Sequence, residues 1–386
     1  MNLFEKNPKS TIALSIIFLI ILIELLSLLL ITYRDRPYQK YSDNNENIIQ
    51  KFDAHTFYNY NPNITTSFKP WKGLNEMYKS EISWEFDRFG MVKTSQPINQ
   101  NKNYENKKTV VIFGGSTVFG VGSSSLDQTI ASHLQNILNE KDQNTLYTVM
   151  NAGVRGYIAY QEFIRYLNDV KYLNPDIIIS LNGRNDIYLA SKGYLADDFN
   201  TLYSETIETQ INNFNNKNFF SDLKDIAQYS NFMKLLNRLL IKFNKTLSLK
   251  TDIKSQNFNK TNPSENLSLK MLSSLDNYIH IMNLFNHSVS LDKKDFFWVL
   301  QPTALVEKNL TKIEEERVYK NGLLDDYKRI INLSYKYINF ESDLVYDASL
   351  LFKNSNETLY IDECHYNDVS NFLIAQYLAN LVLDNK

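Results

Sequence analysis

The chain has 386 residues, 43% of them hydrophobic and 22% charged, enough for one large domain with additions or for two small ones. A formal charge of -2 offers no basic face for nucleic acid. The single cysteine, Cys364, excludes an intrachain disulfide and any cysteine-based metal cluster.

Residues 1–10 form a short tail, followed at 11–32 by an apolar run interrupted by one charge, Glu24. About 20 apolar residues at ~1.5 Å rise suffice to cross a bilayer core of ~30 Å. Lys6 and Lys9 precede the run, and Tyr33, Arg34 and Arg36 follow it at the expected interface. A cleaved signal peptide would have a shorter apolar core ending in small residues, whereas this one ends Leu-Leu-Leu-Ile-Thr-Tyr-Arg. The expectation is an uncleaved single-pass anchor. Basic residues nearly balance across it, so the short tail and large following domain, rather than charge, favour a domain outside the cytoplasm. Glu24 reads either as a contact to a partner helix or as a tolerated, protonated carboxyl.

Residues 33–108 are polar and asparagine-rich, a stalk and an approach segment, in which Trp84 to Gly90 suggests a short strand and turn. Regular patterning starts at Thr109. Val110 to Phe113 is a continuous apolar run ending in two glycines, the pattern of a buried parallel strand. Ile130, Leu134, Ile137 and Leu138 then share a helical face. Tyr147 to Met150 predicts a second strand, and Tyr160 to Tyr172 a helix with Phe163, Ile164, Leu167 and Val170 at helical spacing. Asp176 to Leu181, after Pro175, is a third strand. Alternating strands and helices imply right-handed crossovers and a parallel sheet.

From about 190 to 294 the pattern loosens into a largely helical insertion, with helical periodicity at 229–249 and 267–285 and a polar stretch at 251–265. A strand returns at Phe296 to Leu300. Residues 313–337 read as mainly helical, and Asn371 to Leu383 as a closing helix.

Four short blocks carry chemistry. Gly114-Gly115-Ser116-Thr117, Asn151 to Gly156 and Gly183-Arg184-Asn185-Asp186 each follow a predicted strand, where an open parallel sheet collects its site. The fourth is Asp362-Glu363-Cys364-His365. Each block alone is also an ordinary turn or loop; order and placement make them a set. They supply a hydroxyl nucleophile, glycine N–H groups and a side-chain amide for an oxyanion, and a histidine with a carboxylate three residues earlier. Of the five histidines, His133 and His280 fall in predicted helices and read as structural, and His55 and His287 lie in polar stretches. His365 has the carboxylate of Asp362 three residues earlier, where one turn could bring the two side chains together. Gly183 is expected to let substrate approach the backbone, Asp186 to brace its loop, and Cys364 to point away from His365 as a small buried hydrophobe.

Together the blocks resemble those of the SGNH/GDSL hydrolase superfamily, over residues 109–386 outside the insertion. The resemblance implies a three-layer α/β/α fold with a parallel, flavodoxin-like sheet. It implies Ser116 as nucleophile, His365 as base and Asp362 as its orienting acid. Ser116, Gly156 and Asn185 would form the oxyanion hole, and no metal or organic cofactor is implied. Aligning the second block on Asn151 selects Gly156 over Gly153. One departure is Gly115, where the family motif has aspartate; the other is the length of the insertion.

The implied activity is hydrolysis of an O-acyl ester, with acetyl the expected acyl group. The anchor suits an acylated envelope saccharide or lipid as substrate. Two alternatives stand beside it: an O-acyltransferase that passes the acyl group to a polysaccharide hydroxyl with a membrane-protein partner, and a non-catalytic envelope scaffold.

Overall fold

Val110, Val111, Ile112 and Phe113 are completely buried, as a strand covered on both faces requires. The computed structural model describes residues 50–53, 57–60, 62–63, 65–68, 82–95, 104–192, 267–306, 308–319 and 325–384, with helical positions at 15, 18–19 and 22–26. The chain divides into two compact units, Met1–Asp43 with Leu202–Asn259, and Asn44–Thr201 with Lys260–Lys386. The described residues of the first unit are the helical positions at 15, 18–19 and 22–26. Most of the expected anchor therefore lies outside the described residues, and among those described no helix is long and apolar enough to cross a membrane.

The second unit opens with two antiparallel pairs, β1 (Gln50–Asp53) with β2 (Phe57–Tyr60) and β3 (Thr65–Phe68) with β4 (Ile82–Glu85). Its body is a five-stranded sheet of β5 (Asn106–Gly114), β6 (Thr145–Asn151), β7 (Ile177–Asn182), β8 (Asp295–Leu300) and β9 (Val345–Asp347). All neighbours are parallel, in the order β6-β5-β7-β8-β9. This is the flavodoxin-like order, with the chain stepping one way from β5 to β6 and then back past β5 to β7. The crevice at such a reversal is where α/β sheets bind ligands.

The helices are α1 (Ser116–Phe119), α2 (Ile130–Lys141), α3 (Ala159–Asn168), α4 (Arg184–Ser191), α5 (Leu269–Leu291), α6 (Lys312–Tyr319), α7 (Asp325–Glu341) and α8 (Asp368–Asp384). Helix α2 packs against α8, and α5 against α3, α4 and α7. Alternate residues of β5 serve different clusters: Val110 and Ile112 pack with Ile130, Leu134 and Tyr147, and Val111 and Phe113 with Tyr166 and Phe285. Strand β6 is an edge, and α2 covers it with polar side chains. Gln135 accepts the Val149 N–H (2.9 Å), and Asn139 accepts from Tyr147 N (2.8 Å) and donates to its carbonyl (2.9 Å). That leaves fewer open groups for another chain to pair with.

Several boundaries differ from those the pattern predicts. Residues 82–95 belong to the body: Trp84 and Phe86 pack with Phe119, Val92, Val154 and Tyr157, so the domain begins before Thr109. The last part of the expected insertion is α5, whose Leu275, Met282 and Phe285 are completely buried, while 193–266 lie outside the described residues. The stretch read as mainly helical at 313–337 holds two helices, α6 and α7.

Candidate active site

Ser116 stands where β5 becomes α1. A side chain on Gly114 would sit 2.5 Å from the Leu181 carbonyl, and one on Gly115 would sit 2.6 Å from Asn185 Nδ2. Glycine at 115 leaves room for the Asn185 amide close to the serine. Helix α1 ends after one turn at Gly120, whose φ of +108° suits glycine. The ring of Trp84 stacks on Phe119 at 4.9 Å and braces this turn from the segment before the sheet.

The fourth block comes to Ser116 from the other end of the chain. His365 Nε2 lies 2.7 Å from Ser116 Oγ, and His365 Nδ1 lies 2.6 Å from Asp362 Oδ2. With the Nδ1 proton on the carboxylate side, Nε2 presents its lone pair to the serine hydroxyl. The other carboxylate oxygen, Asp362 Oδ1, accepts the N–H groups of Cys364 (2.9 Å) and His365 (2.8 Å), which fixes the loop around the acid. Burial alone would raise the Asp362 carboxyl; the His365 imidazolium and these N–H groups instead bring it down to about 2. Burial opposes charge on His365, yet Asp362 outweighs it and holds the imidazole well above 6.5. The loop is anchored further back by a buried ion pair, Lys308 Nζ to Glu314 Oε2 at 2.7 Å. Glu314 Oε1 accepts the N–H groups of Leu359 (2.9 Å) and Tyr360 (3.0 Å).

Cys364 is buried as expected but does not point away. Its Sγ lies 3.7 Å from His365 Nδ1, because the turn closed by Asp362 brings successive side chains together. Ligand atoms of Asp362, Cys364 and His365 lie within 4.8 Å of one another. The 2.6 Å between Nδ1 and Oδ2 is a hydrogen-bond distance, however, with no room for an ion between them.

The second and third blocks meet at the same edge. Asn185 Nδ2 donates to the Tyr157 carbonyl at 2.8 Å, leaving its second amide proton to be directed elsewhere. Gly156 is exposed, with φ of +82°. Gly153 is committed to structure: its N–H donates to Asn151 Oδ1 at 3.0 Å, and a side chain there would sit 2.3 Å from Phe119 N. Asn151 Nδ2 in turn donates to Val118 O at 2.8 Å, tying the block to α1. Asp186 accepts the Ala159 N–H at 2.9 Å and so joins α4 to α3. Gly183 stands where β7 becomes α4. Its φ is +103°, and a side chain would lie 2.7 Å from Leu300 Cδ2 and 3.3 Å from the Tyr278 hydroxyl. The backbone conformation and the packing of Leu300 and Tyr278 both call for glycine at 183.

Sequence reasoning missed what lies under this loop. Glu162 is buried and its Oε2 accepts from Ser180 Oγ (2.6 Å) and Asn182 Nδ2 (3.1 Å). Tyr278 donates to Asn182 Oδ1 (2.7 Å) and accepts from Trp298 Nε1 (2.9 Å). Burial pushes Glu162 up to about 8 and Asp186 up to about 7. The signal was a polar Gln-Glu pair opening a helix after the second block, hidden because the inward face of α3 carries Glu162 and Arg165 rather than an apolar stripe.

No protein-family model matches the chain, and no curated protein does. Among solved structures, an acetyl xylan esterase, AlAXEase, aligns at 16% identity over 71% of this chain and 99% of its own, with a TM-score of 0.37. An acetyl xylan esterase from Geobacillus stearothermophilus aligns at 12% identity over 71% and 94%, with a TM-score of 0.37. A G-D-S-L family lipolytic protein from Desulfitobacterium hafniense aligns at 12% identity over 71% and 99%, with a TM-score of 0.35.

Proposed function

We propose that the chain is a serine esterase of SGNH/GDSL type that hydrolyses an O-acyl ester, acetyl first among acyl groups, on an envelope saccharide or lipid. The observation that carries this reading is the continuous relay Ser116 Oγ, His365 Nε2, His365 Nδ1, Asp362 Oδ2, with steps of 2.7 and 2.6 Å.

In this reading Ser116 Oγ attacks the ester carbonyl and its proton passes to His365 Nε2. The Ser116 and Gly156 N–H groups and the Asn185 amide stabilise the resulting oxyanion, each such donor being worth ~3 kcal/mol of barrier. The ester C–O bond then breaks, and the imidazolium gives its proton to the departing alcohol. Water, deprotonated by the same imidazole, releases the acyl group as a carboxylic acid and frees Ser116. Asp362 holds the imidazole in the right tautomer throughout and stabilises its charged form. The chemistry calls on no metal or organic cofactor, and the charge balance offers nothing to nucleic acid.

The apolar run at 11–32 supports a single-pass anchor with the catalytic domain outside the cytoplasm, beside acylated envelope material. The same acyl-enzyme could be resolved by a sugar hydroxyl, with a membrane-protein partner supplying acyl groups. Turnover of p-nitrophenyl acetate by the full chain in excess saccharide decides between the two. Hydrolysis predicts acetate and no new ester, whereas a transferase would acetylate the sugar in water. Absence of any turnover by a folded chain would overturn both and leave a scaffold.

A further inference from the structure

Beneath the turn that carries Asn185 lies an acid that the proposed chemistry does not use. Glu162 of α3 has none of its surface exposed. Its Oε2 accepts from Ser180 Oγ (2.6 Å) and Asn182 Nδ2 (3.1 Å), while its Oε1 has no hydrogen-bond partner. Ser180 and Asn182 are the polar residues of the wholly buried β7, and Asn182 ends it. Asn182 Oδ1 accepts from the Tyr278 hydroxyl at 2.7 Å. The Asn182 amide is therefore gripped at both ends, three residues before Asn185.

Asp186 holds the far side of the same turn. Its Oδ1 accepts the Ala159 N–H, two residues after the carbonyl that holds the Asn185 amide, and its Oδ2 has no partner. The groups facing Glu162 are Asp186 from α4 and Tyr278 from α5; β7 contributes no titratable side chain. On α3 itself, Tyr166 is bonded to Asp292, and Arg165 spends Nη1 and Nη2 on the carbonyls of Ala152 and Gly90. No ion pair reaches either carboxyl among the described residues. Of the two, Asp186 is the better anion, because it sits in the first turn of α4 and accepts an N–H group. A second charge on Glu162 would face it out of water with no cation to pair with. Burial pushes Asp186 up to about 7, and burial together with the charge of Asp186 pushes Glu162 up to about 8. An ionised Glu162 must move toward water or admit it, and either breaks the grip on Asn182.

We propose that Glu162 is a positioning residue of the oxyanion hole: its neutral carboxyl holds Asn182 and through it the turn of Asn185, and loss of its proton withdraws the Asn185 amide from the developing oxyanion. The proposal rests on the esterase reading and adds to it a shut-off in alkali that acts at Asn185 rather than at Ser116 and His365.

The test is kcat and KM of the full chain on p-nitrophenyl acetate from about pH 6 to 9.5, corrected for spontaneous hydrolysis, with circular dichroism following the fold. The wild-type kcat is expected to rise as His365 sheds its proton, then to fall about tenfold or more above about pH 8 at nearly constant KM. Glu162→Gln, matched in shape and unable to ionise, should keep the rise and lose the fall. Asn185→Ala should lose the fall too, because no amide is left to withdraw, and it decides alone where Glu162→Gln does not fold. A merely structural Glu162 would leave Glu162→Gln with kcat lowered by one factor at every pH and the fall intact, which would overturn the proposal. So would a fall that persists in Asn185→Ala, or a folded wild type that turns over substrate with no fall. Turnover that survives Ser116→Ala would sink the esterase reading instead, and the proposal with it.

Discussion

At the scale of single residues, Asn185, in the first turn of α4, is the side chain on which the proposed oxyanion hole depends. One of its amide protons is held by the Tyr157 carbonyl, which fixes the plane of the amide beside Gly115. Asn185→Ala is expected to lower kcat roughly 10²–10³-fold with little change in KM, because the interaction forms only as charge develops on the carbonyl oxygen. An unchanged kcat would remove Asn185 from the oxyanion hole. Glu162 and Asp186 give a different prediction. Their folded values of about 8 and about 7 lie above the ordinary carboxyl values of 4.5 and 3.8. The folded chain therefore holds protons that the unfolded chain releases, and the stability they contribute is full in acid and falls as pH rises through about 7 to 8. Glu162→Gln, which keeps the shape and cannot ionise, should flatten the fall in Tm between about pH 5 and 8.5. An equally steep fall in the variant would contradict a protonated Glu162.

Among the elements, the three strands before the site blocks were legible because each is an unbroken apolar run, the pattern left by burial on both faces. The residues of the relay were legible because a hydroxyl, an imidazole and a carboxylate occur in the family's motif blocks. What supports them was not. Strand β9 is three half-buried residues with no pattern to read, and α3 turns Glu162 and Arg165 inward, where hydropathy looks for apolar residues. The segment before Thr109 looked like an approach because its order comes from two rings, Trp84 and Phe86, packed on Phe119 of α1 rather than from any repeat. Trp84→Ala should therefore cost about 3–5 kcal/mol of stability, measured by denaturant unfolding. A loss below about 1 kcal/mol would show that the segment is an appendage after all.

For the whole molecule, the sheet order decides why four distant blocks can act together. Reversal at β5 sets the carboxyl ends of β5 and β7 side by side, and α8 returns the C-terminal part of the chain against α2, after the His365 loop has met Ser116 across 249 positions of sequence. Any activity depends on that closure. The most direct measurement is labelling of the full chain with a fluorophosphonate, read by intact mass, beside Ser116→Ala and Cys364→Ala. One adduct on the wild type and on Cys364→Ala, and none on Ser116→Ala, is the predicted result. Labelling that persists in a folded Ser116→Ala chain, or is absent from a folded wild type, would contradict an activated Ser116.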